Sequence, residues 1–233
     1  MVSLAERAAS LNSARLTDKI SVRSLLGMFL AFGFTFGSVE SANFDALRPG
    51  ALPPNWSIVS TDAKAGAHWL VKADRTAPSR PNVLAQETPL RGHRDSSVAL
   101  FDKSYCKDGE ISVDLKIVSG KFEQTAGVVW RFQDSGNYYF AVASADRDSV
   151  GIFKKQDQRI SVLGHASVPH RIDDHEWNLL KVRFRGPKVM LFFGHRKLIE
   201  TEDSTLQKPG KSGVWTRGDT VAYFDNFRID KKN

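Results

Sequence analysis

A single cysteine stands in the 233 residues, so no intrachain disulfide braces the fold, and no Cys and His stretches carry zinc-ligand spacing. Apolar burial must therefore hold the chain together. There is no collagen-like glycine period, low-complexity tract or heptad pattern, which excludes fibrous, wholly disordered and coiled-coil classes. Beyond residue 43, apolar residues never keep a 3.6-residue spacing for three turns, and no period of 20 to 50 residues recurs. Helical bundles, propellers and solenoids are excluded. What is present is a 41% hydrophobic composition with 15 Phe and 5 Trp, enough to build the core of one large domain.

The N-terminal segment reads as an export signal. Arg7, Arg15, Lys19 and Arg23 precede an uncharged apolar run at 25–37, which is shorter than the roughly 20 residues that span a bilayer. Small residues follow at Ser38, Ser41 and Ala42, so cleavage is expected near 41/42. Residues 1–42 are then a signal peptide and 43–233 a single domain, periplasmic or secreted. The formal net charge is +7, and the basic groups are scattered rather than clustered. That pattern describes a solvated surface and gives no nucleic-acid footprint.

The remaining chain alternates with period two. In 110–118, Ile111, Val113, Leu115 and Ile117 face one way and Ser112, Asp114 and Lys116 the other. Similar segments recur at 69–71, 83–86, 98–101, 125–132, 137–143, 149–154, 159–163, 177–185, 188–193, 197–200, 213–216 and 221–229. Turn residues separate them, including Ser119-Gly120, 134–137, Gly186-Pro187, Gly194-His195 and Pro209-Gly210. Strand after strand with short turns predicts an all-β antiparallel sandwich of the jelly-roll type. The two-residue turns within 177–200 predict a three-stranded meander.

Three groups of residues carry a family likeness: Phe44-Asp45 with the stretch 49–56, Gly127-Val128-Val129-Trp130-Arg131-Phe132 with Asn137-Tyr138-Tyr139, and Gly213-Val214-Trp215-Thr216 with Phe224-Asp225-Asn226-Phe227. Together they resemble exported bacterial domains of the concanavalin A-like lectin/glucanase superfamily. Within it they are similar to laminin-G-like jelly rolls grouped with 3-keto-disaccharide hydrolase domains. The resemblance implies the same sandwich and a carbohydrate partner. It also implies a structural calcium ion at Asp45 and Asp225, which match the first and last strands in order.

Strand parity sends Val128, Trp130 and Phe132 to the core and Gly127, Val129 and Arg131 to the opposite face. With Ala141, Ala143 and Gly151 as small neighbours, that second face is expected to form a groove floor flanked by Arg131, Tyr139 and Phe153. A flat aromatic ring suits the C–H face of a pyranose, and fixed donors suit its hydroxyls. The carbohydrate-binding set is thus Arg131, Tyr139, Asn137, Gln124, Phe153 and Trp215, the last beside the polar loop Thr216-Arg217-Gly218-Asp219.

Catalytic signals are sparse. No tight run of alternating acids matches the pair of carboxyls a glycosidase needs, and Glu110 with Asp114 reads as a wet strand face. No Gly-x-Ser-x-Gly elbow occurs, Cys106 has no motif histidine beside it, and His93 sits in a charged loop with Arg91, Arg94 and Asp95. The sequence therefore points first to an exported glycan-binding domain. A hydrolase of disaccharides or oligosaccharides and a structural envelope domain stand as alternatives.

Overall fold

A computed structural model describes residues 37–60, 68–90, 92, 95–173 and 175–232. Residues 1–36 of the leader read over 1–42 and the loop residues Arg91, His93 and Arg94 lie outside the described residues. Among the described residues fifteen strands run in chain order: β1 Val39–Ala42, β2 Trp56–Ser60, β3 Trp69–Ala73, β4 Asn82–Gln86, β5 Ser96–Cys106, β6 Asp108–Ser119, β7 Thr125–Asp134, β8 Asn137–Ser144, β9 Ser149–Gln156, β10 Arg159–Ser167, β11 Asn178–Arg185, β12 Lys188–Phe193, β13 Arg196–Glu202, β14 Gly210–Arg217 and β15 Val221–Lys232.

They form two antiparallel sheets, as the period-two pattern requires. The first is ordered β13-β12-β11-β6-β15-β4-β3, with β1 on the free side of β15, and the second β10-β9-β8-β7-β14-β5-β2. The meander β11-β12-β13 forms as expected. Ile111, Val113 and Leu115 of the first sheet pack against Val128, Trp130 and Ile152 of the second to make the main core. Trp130 lies between Tyr139 and Phe184, with ring centroids 5.5 and 5.8 Å away. The signal-peptide boundary expected near 41/42 falls inside β1, whose four residues pair with Phe227, Arg228, Ile229 and Asp230. A cut there would strip this strand from β15.

The parity expectation holds along β7 only as far as Trp130. Arg131 adopts φ +48°, and the register shifts against both neighbouring strands, which marks a β-bulge. The bulge turns Arg131 inward, where it is fully buried, and sends Phe132 out instead of into the core. Across the bulge Gly210 approaches so closely that a Cβ there would lie 2.6 Å from Phe132 O and from the Arg131 carbonyl carbon, so this position admits only glycine.

Candidate functional site

Register builds the outer face of the second sheet row by row. One row reads Val98, Trp215, Gly127, Val142, Gly151 and His165 across β5, β14, β7, β8, β9 and β10. The next, on one side, reads Leu100, Gly213, Val129, Phe140, Phe153 and Val162. On the other side stand Ser96, Arg217, Thr125, Ser144, Ser149 and Ser167. Because Gly127 and Gly151 carry no side chains, the central row sinks between a ring wall and a hydroxyl wall. The result is a shallow trench of about 70 Å³ lined by Phe140, Phe153, Trp215, Thr125, Ser144, Ser149, His165, Arg147 and Arg217.

Its apolar wall is a stack. Phe140 faces Trp215 at 4.9 Å and Phe153 at 5.1 Å between ring centroids, both nearly parallel. Trp215 and Phe140 are buried by this packing, whereas Phe153 stays half-exposed and leans over Gly151, where an added Cβ would meet its ring at 2.5 Å. Phe153 is therefore the ring open to a ligand. Along the polar wall, Ser144 gives its proton to Asp146 at 2.7 Å, so the 2.9 Å contact from Thr125 to Ser144 is donated by Thr125.

The arginines are set from behind. The Glu123 carboxylate is recessed, with Oε1 3.5 Å from Arg217 Nε and Oε2 3.8 Å from Arg147 Nη2. Asp219 fixes the loop that carries Glu123 by accepting the backbone N–H groups of Lys121, Phe122 and Glu123. Burial raises the Asp219 carboxyl, yet these three amides hold it below the usual carboxylate range. The guanidiniums flank the trench mouth, and Arg147 is the more exposed.

Of the residues expected to bind carbohydrate, the fold brings only Phe153 and Trp215 together here. Arg131 is in the interior. It donates to the carbonyls of Lys107 (2.7 Å), Gly186 (2.8 Å) and Leu206 (3.2 Å) and pairs with Asp108 at 3.0 Å. Tyr139 is also interior because it pairs with Trp130 across β7 and β8, and Ala141 and Ala143 follow it inward. The groove floor expected from those alanines is thus core. The Tyr139 hydroxyl donates to Asp203 at 2.5 Å and accepts the Leu206 N–H, and burial, then Asp203, pushes its pKa up. These bonds moor the 203–209 connection between the sheets.

Asn137 ties hairpins together, donating to Asp134 at 3.0 Å and accepting from the Asp157 amide at 3.2 Å. Gln124 donates to the Gly120 carbonyl at 3.1 Å, at the opposite end of β7. Cys106 is buried, and burial pushes its thiol up to about 11, unsuited to a nucleophile.

Asp45 and Asp225 do converge, through Ser79. The Ser79 hydroxyl donates to Asp45 and its amide to Asp225 at 2.7 Å. The remaining oxygens accept from the Asn82 and Asn226 amides. Three carbonyls nearby, of Phe44, Asp45 and Leu47, accept from the Asn82 side-chain amide. Every carboxylate oxygen thus has a protein donor, and among the described residues no group of three His, Cys, Asp or Glu gathers. Calcium takes six to eight oxygens, so these residues do not fit a calcium cage as they stand. They make a hydrogen-bonded staple.

Residues missed by the sequence reading are Arg147, His165, Phe140 and the hydroxyl row. In sequence, Arg217 stands out only as part of the polar loop beside Trp215.

This architecture is an antiparallel two-sheet sandwich of the jelly-roll type. No family model matches the sequence, and no curated protein does. Among solved structures, the carbohydrate-binding module CBM66 from Bacillus subtilis aligns with TM-score 0.59 at 20% identity, over 76% of this chain and 96% of its own. A Bacteroides ovatus GH16 protein in complex with a mixed-linkage glucan product aligns with TM-score 0.58 at 10% identity, over 82% and 99%. The exoplasmic/lumenal domain of VIP36, bound to Ca2+ and Man3GlcNAc, aligns with TM-score 0.52 at 11% identity, over 77% and 84%. At these identities the likeness is one of fold. Among the described residues no helix is long and apolar enough to cross a membrane.

Proposed function

We propose that this protein is an exported carbohydrate-binding domain that holds a glycan in the trench on the outer face of the second sheet. The observation that carries the reading is the pairing of a half-exposed ring, Phe153, with a row of hydroxyls and two arginines across a glycine floor. A sugar needs both walls, the ring for its C–H face and the polar groups for its hydroxyls. The solved neighbours of this fold include a carbohydrate-binding module, a domain bound to Man3GlcNAc and a glycan-bound GH16 protein, which supports the same partner class. Export rests on the leader at 1–42, and a cut upstream of Val39 would retain β1.

Binding is favoured over hydrolysis because, among the described residues, the trench lining includes no carboxyl group, whereas glycosidases usually present two across one cleft. A calcium ion remains the alternative occupant of the Asp45–Asp225 staple. Burial, with Asp45 and Asp114 adding to it, pushes the Asp225 carboxyl up, which a cation would relieve. To enter, it would have to displace the Ser79 and Asn82 donors.

Calorimetric titration of a panel of oligosaccharides tests the trench. Phe153→Ala is expected to lose at least tenfold in affinity while remaining folded at the temperature of the titration. Equal affinity of the folded variant would refute the site.

A further inference from the structure

We infer that the glycan held in the trench is acidic, and that Lys155 receives its anionic group. This rests on the trench being the glycan site.

Lys155 lies on the same face of β9 as Phe153, two residues on, hence about 7 Å along the strand. It is only 7% exposed, yet among the described residues no hydrogen bond or ion pair reaches its ammonium. Its one close partner is the Tyr138 ring, 5.6 Å below. Asp134 acts on it from beyond ion-pair distance, and burial, the larger influence, lowers its pKa. A lysine this far buried along its stem, with no acid at its ammonium, is unusual, because lysines with so little exposure are commonly paired. Among the described residues, three other cations of this face have acids: Lys211 pairs with Asp102, and Arg147 and Arg217 share Glu123.

The place of the missing anion follows from the rows. A sugar stacked on Phe153 has the hydroxyl wall beyond Gly151 on one side and Lys155 on the other. A carboxylate or sulfate on the ring edge turned away from the trench would meet the ammonium, with a charge-assisted hydrogen bond replacing the absent protein partner. Carboxylate and sulfate share this chemistry, and the experiment separates them.

The test uses the full domain and three probes: a uronic-acid oligosaccharide, the same oligosaccharide with its carboxyls reduced to alcohols, and a sulfated neutral oligosaccharide. The wild type is expected to bind one or both anionic probes at least tenfold more tightly than the reduced one, and the arm that binds identifies the group. Lys155→Met keeps an unbranched stem over Tyr138 and should abolish the preference while leaving the reduced probe within about twofold. Lys155→Arg should retain much of the preference. Lys188→Met, a charge removed from the other sheet, should leave it intact.

Equal binding of anionic and neutral probes by the wild type, or a preference that survives Lys155→Met, overturns the acidic-glycan inference and leaves the trench reading standing. If no probe binds, and Phe153→Ala changes nothing across a wider glycan panel, both fall together. A Lys155→Met protein that fails to fold would also count against the inference, because it would give the buried ammonium a structural role.

Discussion

Replacing Arg131 with alanine should unfold a substantial part of this domain's stability margin while leaving the trench chemistry untouched. The guanidinium is fully buried, and its removal leaves three carbonyls without the donor that now satisfies them and Asp108 with only the Gly186 N–H. Breaking a buried pair by deleting one partner costs about 3 to 5 kcal/mol. A domain of this kind has roughly 5 to 15 kcal/mol in total, and at this size each kilocalorie moves the melting temperature by about 2 to 4 °C. The expected fall is therefore on the order of 6 to 20 °C. Alanine inherits the left-handed backbone at this position, with φ +48°. Arg131→Gly should recover about 1 kcal/mol of that loss, since glycine carries no Cβ penalty there. Arg131→Met, which keeps the stem between Tyr139 and Phe184, isolates the charge. Thermal and urea melts of the three variants give the ranking, and glycan titration well below the midpoint gives the binding. A melting temperature within about 2 °C of wild type for Arg131→Ala, or a glycine variant less stable than alanine, would contradict the interior role. Lost glycan affinity in a fully folded variant would return Arg131 to the ligand.

Gly151→Val places a side chain where the Phe153 ring now leans, so it should fill the trench and reduce glycan affinity at least tenfold, as titration will show. Burial raises the Asp203 carboxyl, but hydrogen bonds from Tyr139, Lys154 and Thr205 together pull it down to about 2, below the usual carboxylate range. Its contribution to stability is present above about pH 4 and is lost as pH falls towards 2, because the unfolded chain protonates first. Asp203→Asn should flatten that part of the stability curve measured by urea melts. The Asp45–Asp225 staple predicts a melting temperature that calcium and a chelator both leave within about 2 °C. A calcium-dependent rise beyond that would give the site to the ion.

The sandwich was legible because strands such as 110–118 alternate without interruption, and a half-buried sheet leaves that mark directly on sequence. The faces of β8 were legible too, but only by counting. The turn at Ser135 and Gly136 pairs Asp134 with Asn137. Counting back from it in steps of two puts Tyr139, Ala141 and Ala143 on the face of Trp130. Sorting that strand by side-chain size instead mistook a run of small core residues for a groove floor. No such count could have placed Arg131. Its inward turn depends on a bulge that two neighbouring strands and Gly210 shape together, and nothing local in Trp-Arg-Phe announces it.

That bulge links the interior to the binding face. By folding Arg131 inward it advances Phe132 onto the outer side, where the ring stacks on Tyr138 at 5.2 Å. Tyr138 in turn lies beneath the Lys155 ammonium and 5.7 Å from Phe140, which backs Phe153. A strand without the bulge would point a guanidinium at this row and return Phe132 to the core. The ring that seats Lys155 would then lose its neighbour, and a second cation would compete for the same anion. The interior ion pair of Arg131 and the ring packing beneath the Lys155 ammonium thus meet at one irregularity in β7, which is why a stability variant at Arg131 and a specificity variant at Lys155 probe neighbouring parts of one arrangement.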